Sequence, residues 1–476
     1  MAQETLNSTY ENLDFLFHPR SLALVGITTT QREHWTRGLL EGLLTFQYDG
    51  QLYLVNPKGG EIEGHKVYPS LKDVPPPLDY VIGLVPAPAA PGLVRDCAGK
   101  GVHAMHFCTA GFSETGEEEG IRLEAELVAE ARQHNIRVLG PNCLGIYYPK
   151  SRLSFSPIFP RESGVVGFIS QSGGNSNYLV RQAALRGVRF SKGISYGNAC
   201  DLNEADFLEY LAVDPETKII AMYIEGLKDG KRFRRALEVA TKEKVVVLLK
   251  GGLTEGGARA VAGHTAALAG SKVTWEALCQ QLGIIRVESL DELVDVLVTL
   301  LFLPVPKGRN VALIGAGGGA SVLITDEFEK RGLKVPGLPE EITRQIREFT
   351  PAAGNILRNP VDYSQSMMNI PNLKRTVDIV SRWDGVDFLV DFMRIGQSPR
   401  LGTFSVGWVL ATAGASKPTA VVLEPSLTPE EASEILSGIE KCAAAHLPVY
   451  YSFTSAANAI NLVLNYYESR KSRART

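Results

Sequence analysis

Ser21-Leu-Ala-Leu-Val-Gly-Ile27, Gly164-Val-Val-Gly-Phe-Ile-Ser170 and Asn310-Val-Ala-Leu-Ile-Gly-Ala316 decide the fold: each is an apolar strand that ends in small residues just ahead of a helical stretch. The openings start at residues 21, 164 and 310, a near-regular interval. A strand apolar at every position is covered on both faces, as in a parallel sheet wrapped by helices. After each opening, short apolar runs alternate with amphipathic stretches, the pattern of βα units. Working outward, the first segment has strands at 51–56, 79–85, 103–108 and 137–140, with an acidic helix over 117–134. The second has strands at 219–225, 244–250 and 284–287, and the third at 386–391, 419–424 and 449–453. Prolines between 149 and 163, and Pro304 and Pro306, mark linkers. The expectation is an α/β chain of three doubly wound parallel-sheet domains, at 10–150, 163–303 and 308–470.

Composition excludes several function classes. The 476 residues carry 49 basic and 52 acidic side chains, so there is no positive surplus of the kind that binds nucleic acid. Cys97, Cys108, Cys143, Cys200, Cys279 and Cys442 lie far apart with no Cys-x-x-Cys pair, and several are read as lying in apolar strands. That suits reduced thiols in a reducing cytoplasm. Residues 1–10 lack the cationic start and apolar core of a secretory signal, and no apolar run is long enough to span a bilayer. The basic run Ser469-Arg-Lys-Ser-Arg-Ala-Arg-Thr476 reads as a solvated tail. A cytoplasmic protein with neither nucleic-acid nor membrane partner is expected.

Ligands of doubly wound sheets bind beyond the carboxyl ends of the strands. In the first segment those ends carry Gly26-Ile-Thr-Thr-Thr-Gln31, Asn56-Pro-Lys58, Val85-Pro-Ala-Pro88, Thr109-Ala-Gly111 and Pro141-Asn-Cys143. Loop amides and hydroxyls could hold a phosphate-bearing cofactor, Lys58 could neutralise it, and the proline-rich loop could clamp a flat ring. Ordinary βα turns would look the same. The second segment opens with Ser170-Gln-Ser-Gly-Gly-Asn175, hydroxyls and glycines at a helix start that suit phosphate or plain N-capping. The third has Gly315-Ala-Gly-Gly-Gly-Ala320, without an acidic residue at the end of the next short strand, read at 334–338. Phosphate without a ribose fits that turn better than a dinucleotide does. The two phosphate-ready helix ends could face each other across one phosphoryl group. His103 and His106, at i and i+3 in a strand, point to opposite faces, so no metal site is expected.

His264 lies in the small-residue run Gly251-Gly-Leu-Thr-Glu-Gly-Gly-Ala-Arg-Ala-Val-Ala-Gly-His-Thr-Ala-Ala-Leu-Ala-Gly-Ser271, which follows an apolar strand. Such a run reads as a mobile loop, and a histidine on it can collect a group at one site and deliver it at another. Glu225 closes the strand at the same sheet edge. Its carboxylate could accept from Nδ1–H and leave Nε2 nucleophilic, or equally cap a nearby helix.

With these residues assembled, the chain resembles the α subunit of NDP-forming acyl-CoA synthetases, relatives of succinyl-CoA synthetase. The likeness is carried by Asn56-Pro-Lys-Gly-Gly-Glu-Ile62, Leu139-Gly-Pro-Asn-Cys-Leu-Gly145, Ser170-Gln-Ser-Gly173, Tyr196-Gly-Asn-Ala-Cys-Asp-Leu-Asn-Glu-Ala-Asp206, Ile224-Glu-Gly-Leu-Lys-Asp-Gly230 and Gly263-His-Thr-Ala-Ala-Leu-Ala-Gly270. The resemblance implies a Rossmann-like CoA-binding domain followed by two flavodoxin-like ligase domains. It implies that His264 is phosphorylated and that Glu225 steadies it. It places CoA against Gly26, Thr28, Thr29, Thr30, Gln31, Asn56, Pro57, Lys58, Val85, Pro86, Cys108, Thr109, Ala110 and Asn142. Phosphate would be held by Ser170, Ser172, Gly173, Gly174, Gly317, Gly318 and Gly319. No segment reads as an ATP-grasp domain, so ATP or GTP, with Mg²⁺, would sit on a separate ATP-grasp β subunit, giving a hetero-oligomer. The implied reaction converts acyl-CoA, phosphate and ADP or GDP reversibly to carboxylic acid, CoA and ATP or GTP, through an acyl phosphate and a phosphohistidine. Two other classes remain: a non-catalytic protein that binds CoA or acyl-CoA, and an NAD-linked oxidoreductase resting only on Gly315 to Ala320.

Overall fold

The computed structural model describes residues 9–30, 34–265, 271–315, 317–351, 353–362, 369–393, 401–423 and 428–473, apart from the side chains of 262–265, 393, 401–406 and 430–431. The chain forms two compact units, one of Met1–Arg181 with Arg189–Leu290, the other of Gln182–Val188 with Asp291–Thr476.

The first unit holds two sheets. One comprises β1 (Ser21–Val25), β2 (Gln51–Val55), β3 (Gly60–Ile62), β4 (His65–Tyr68), β5 (Tyr80–Gly83), β6 (Ala104–Phe107) and β7 (Arg137–Leu139), in the order β3-β4-β2-β1-β5-β6-β7. Every pair is parallel except the β3–β4 hairpin. Chain direction reverses across the sheet between β1 and β5, the switch point of a Rossmann-like fold. All five residues of β1 are buried, as a central strand apolar from Leu22 to Val25 requires. The other sheet comprises β8 (Gly145–Tyr147), β9 (Val166–Ser170), β10 (Phe190–Ser195), β11 (Ile219–Ile224), β12 (Val245–Lys250) and β13 (Ile285–Val287), in the order β13-β12-β11-β9-β10-β8. Setting aside antiparallel β8, this is the flavodoxin-like order with its switch point between β9 and β11.

β10 escapes a reading by hydropathy because Lys192 stands in its middle. The strand is buried throughout. Lys192 is only 1% exposed, and it donates to Asp214 Oδ1 at 2.9 Å and Glu216 Oε2 at 2.8 Å while lying 4.4 Å from the Tyr148 ring. Glu216 also accepts from Lys150 and from the Tyr148 hydroxyl. Partial burial pushes the Glu216 carboxyl upward, but hydrogen bonds from Lys150, Lys192 and Tyr148 outweigh it and hold the group at about 2, against an ordinary 4.5. A carboxyl depressed on folding stabilises the protein above its unfolded value and loses that contribution as pH falls toward the folded value. Stability should therefore decline as pH drops from 4.5 toward about 2. The check is urea midpoints across that window for wild type and Glu216→Gln; identical pH slopes would contradict the assignment.

The second unit holds β14 (Val311–Ile314), β15 (Ile356–Leu357), β16 (Val361–Asp362), β17 (Phe388–Met393), β18 (Thr419–Leu423) and β19 (Val449–Tyr450), in the order β15-β16-β14-β17-β18-β19. With β15 antiparallel to β16, the rest is again flavodoxin-like. In this unit Arg186 meets Asp295 at 2.6 Å, both nearly inaccessible, with the guanidinium over the Tyr450 and Tyr451 rings. The expected strand at 334–338 is not one. Only a single bridge joins Asn310 and Lys334, since Pro336 has no N–H for a ladder, and β16 takes the place beside β14 instead. The expected strand at 449–453 stops at Tyr450, and Phe453 opens the helix Phe453–Arg473. That helix also absorbs Ser469 to Arg473, read from sequence as a loose tail, with Arg470 donating to the Tyr466 hydroxyl. The cysteines are not in strands either: Cys97, Cys279 and Cys442 are buried in helices and the other three lie in loops. Among the described residues no helix is long and apolar enough to cross a membrane.

Candidate functional site

At the carboxyl edge of the first sheet, side chains clip neighbouring loops together. Asn56 Nδ2 donates to Ile27 O at 2.8 Å, joining the loops after β1 and β2, and Asn56 Oδ1 accepts from Lys58 N at 2.9 Å. Thr109 Oγ1 donates to Val85 O at 2.6 Å, joining the loops after β5 and β6. Asn142 N donates to Thr109 O at 3.0 Å and brings in the loop after β7. Gly26 sits at φ +97°, where a Cβ would lie 2.8 Å from the Leu84 carbonyl carbon, so the turn at the β1–β5 switch point admits only glycine. Thr28 and Thr29 are half-buried, Thr30, Pro57, Lys58, Pro86 and Ala110 are exposed, and Val85 packs partly on the core. The edge thus presents Thr28 to Thr30 and Lys58 together, while Asn56 and Thr109 are occupied in shaping it. Gln31 lies outside the described residues.

Cys108 borders this edge, and behind it His106 Nε2 stands 2.9 Å from Cys108 Sγ. Burial lowers His106 to about 3 and raises the Cys108 thiol, so imidazole and thiol are both neutral near pH 7. That pair cannot act as a thiolate–imidazolium nucleophile. His103 was expected in the strand with His106, but it lies exposed just before β6, which begins at Ala104, while His106 is buried within it.

The second sheet meets this edge through a backbone contact. Gly197, at φ +57°, brings its Cα so near the loop after β7 that a Cβ would lie 2.1 Å from Pro141 O. The next residue, Asn198, is fully buried, accepts from Asn142 Nδ2 at 3.5 Å, and donates to Glu114 at 2.6 Å and Glu124 at 3.0 Å. Glu114 in turn accepts from the amides of Gly111 and Phe112. Asn198, Glu114 and Glu124 were not expected from sequence, although Asn198 lies inside a quoted motif. Through Asn142 they adjoin a cleft of about 370 Å³ lined by Cys108, Asn142, Cys143, Leu144, Gln171, Ser172, Gly173, Gly174 and Asn177.

The far wall is the start of the helix Gly173–Leu185. Ser172 Oγ accepts from Asn175 N at 3.3 Å, the N-cap geometry, which leaves its O–H free to donate. Ser170 differs from expectation. It is buried, and its hydroxyl donates to Ser172 O at 2.8 Å and accepts from Ser172 N at 3.3 Å, so it shapes the turn instead of lining the cleft. Gln171 Oε1 accepts from Glu225 N at 2.7 Å and Gly226 N at 3.1 Å, tying the loops after β9 and β11 at their switch point. The Glu225 carboxylate is buried and bonded to the Tyr223 hydroxyl. Lys250, whose ammonium burial lowers to about 8, donates to Glu225 O at 2.7 Å and to Gly251 O.

His264 was expected on a loop; its backbone instead belongs to the helix Glu255–Thr265. Thr254 begins it, its Oγ1 accepting from Gly257 N at 3.0 Å, and alanines at 258, 260 and 262 carry it on, since Ala is the best helix former. The His264 side chain lies outside the described residues, so its distance to Glu225 is not part of the structure.

In the second unit, Gly317 caps the helix Gly318–Lys330, with Gly318 and Gly319 in its first turn. Acid does stand at this turn, contrary to expectation. A Cβ on Gly318 would lie 3.5 Å from Asp362 Oδ2 at the end of β16, and one on Gly315 would lie 3.4 Å from Asp391 Oδ1 in β17. Burial raises Asp391 to about 7 despite the Thr412 hydroxyl on its other oxygen. The acid was missed because the neighbouring strand β16 ends at Asp362, 48 residues after β14 ends at Ile314, and not about 20.

Comparison with known proteins agrees with this arrangement. A CoA binding domain model matches residues 20–149, and a succinyl-CoA ligase like flavodoxin domain model matches 163–300. The chain is 36% identical over 428 residues to the acetate–CoA ligase [ADP-forming] II subunit alpha of Pyrococcus furiosus, covering 89% of this chain and 92% of that one. It belongs to the NDP-forming acyl-CoA synthetase family. Another member of the family, the acetate–CoA ligase [ADP-forming] of Methanocaldococcus jannaschii, is 37% identical over 74% of this chain, which spans only 49% of that longer protein. The acetyl-coenzyme A synthetase 1 of Ca. Korarchaeum cryptofilum, solved with phosphate and ADP, superposes with a TM-score of 0.79 at 31% identity, covering 96% of this chain and 97% of that one.

Proposed function

We propose that this chain is the α-type subunit of an ADP-forming acyl-CoA synthetase, and that acyl transfer between CoA and phosphate occurs in the cleft between Cys108, Asn142 and the Gln171–Gly174 turn. The observation that carries this reading is the convergence itself: the loop edge of a CoA-binding sheet and a capped helix start share one small cavity. The helix start supplies free N–H groups and a positive dipole end to an attacking phosphate. Thr28 to Thr30 and Lys58 are the groups assigned to CoA, and Ser172, Gly173 and Gly174 those assigned to phosphate. His264 is assigned as the phosphoryl carrier and Glu225 as its support. Gly317 to Gly319 are assigned to the second phosphoryl position, where burial raises the Asp391 carboxyl and so reduces its charge conflict with an anion. Domains at 10–150, 163–303 and 308–470 follow from the same reading.

The relatives named as α subunits, and the longer relatives of which this chain spans about half, support a partner that binds nucleotide and Mg²⁺, an ATP-grasp β subunit. The substrate would be a small carboxylic acid, and acetate is the first to try. Six unpaired cysteines accord with a cytoplasmic location. In the test, the chain is reconstituted with an ATP-grasp subunit and supplied with γ-labelled ATP and Mg²⁺. Acid-labile, base-stable label on this chain is expected, discharged by acid plus CoA. An unlabelled chain in a complex that binds CoA would favour a non-catalytic role.

A further inference from the structure

The carboxamide of Gln171 has only one possible orientation. Two backbone N–H groups, of Glu225 and Gly226, point at one of its terminal atoms, at 2.7 and 3.1 Å. Only a carbonyl oxygen can accept both, so the other terminal atom is Nε2, carrying two N–H donors turned away from the clamp. Among the described residues nothing accepts from Nε2, although Gln171 is 2% exposed. The residue lines the cleft together with Cys108, Asn142 and Ser172. A donor that the fold fixes on a cleft wall and leaves without a protein acceptor is available to a ligand in that cleft. A clamp for two amides needs only the oxygen; the amide nitrogen requires another reason.

We propose that Gln171 is a catalytic residue of the acyl-transfer step, donating from Nε2 to the acyl carbonyl oxygen held in this cleft. The proposal rests on the function inferred above. A phosphate oxygen attacks the thioester carbon, a C–O bond forms, and the carbonyl π pair moves onto oxygen. Collapse of that intermediate breaks the C–S bond, and the departing CoA sulfur takes up the proton that phosphate sheds. The carbonyl oxygen is fully negative only between these events, which is when a fixed donor is worth most. Because two strand-end amides already hold the carboxamide, it need not reorganise to meet that charge.

Gln171→Glu keeps an oxygen for both amides and replaces the donor with an acceptor; Gln171→Met removes donor and acceptor without adding charge. Two reactions of the reconstituted complex separate the roles: phosphate-dependent exchange of labelled CoA into acyl-CoA, and acid-labile labelling of this chain by ATP. Both variants should lose exchange kcat by about 10²–10³-fold, with KM for CoA little changed and labelling close to wild type. Exchange near the wild-type rate in both variants would overturn the proposal, as would labelling that falls in parallel with exchange, the result of a merely structural clamp. A wild-type complex showing neither reaction would instead remove the functional reading beneath it.

Discussion

His264→Ala should abolish net ATP synthesis, by about 10⁴-fold or more as for removal of other covalent nucleophiles, and yet leave phosphate-dependent exchange of CoA into acyl-CoA intact. On the proposed assignment the two halves of the reaction use different groups: acyl transfer uses the cleft of Cys108, Asn142, Gln171 and Ser172, and no step of it passes through an imidazole. Phosphoryl transfer to nucleotide needs a carrier, and no other histidine is placed by sequence on a segment that leaves the β11–β12 edge. Net turnover and exchange measured on the same variant complex decide the matter. Comparable loss of both would mean that His264 supports the cleft instead of serving a separate delivery step.

Lys192→Met should destabilise the first unit by about 3–5 kcal/mol, the usual result of removing one partner of a buried pair. Asp214 is 1% exposed, and without the ammonium at 2.9 Å its carboxylate keeps, among the described residues, the Thr217 hydroxyl at 2.6 Å. Methionine fills the volume of the lysine stem, so the loss reports charge and not a cavity. Thermal unfolding should move down by roughly 10 °C, at 2–4 °C per kcal/mol for a unit of this size. Adding Asp214→Asn should restore part of it, because the uncompensated charge is then gone. A loss below about 1 kcal/mol, typical of exposed pairs, would show that the carboxylates find other partners.

The architecture was legible because central strands such as β1 and β9 are apolar apart from one terminal serine each and are buried at every position. What was illegible has two causes: a tertiary partner that makes a polar segment behave against its local pattern, and a local signal outweighed in the reading by another. β10 is a buried strand with a lysine in it because Asp214 and Glu216 come to meet that lysine. Residues 334–338 look like a strand, but Pro336 leaves them a single bridge. The Ala-rich run before His264 was read for its glycines as a loop, whereas its alanines and the Thr254 cap make a helix. At the site, the motifs pointed to loops that the fold brings together but not to each side chain's task. Ser170 and Asn56 spend their polar atoms on the loops themselves. Gln171, passed over between two serines, is the residue whose donors remain for the cleft.

The lysine at the end of β12 sets a limit on travel. Its ammonium nails down the carbonyls of Glu225 and Gly251, so any excursion of the His264 segment must swivel downstream, starting at Gly252 with its φ of +77°. From there the tether is three residues, about 10 Å at full stretch, followed by a rigid rod from Glu255 to His264 of about 14 Å. On the proposed assignment, a phosphoryl group carried by His264 can be handed over only within about 25 Å of the swivel. To serve a nucleotide farther off, the rod itself must melt, and the rate of delivery would then track helix stability: Ala260→Gly, which weakens the rod, should quicken a long-range hand-over and leave a short-range one unmoved.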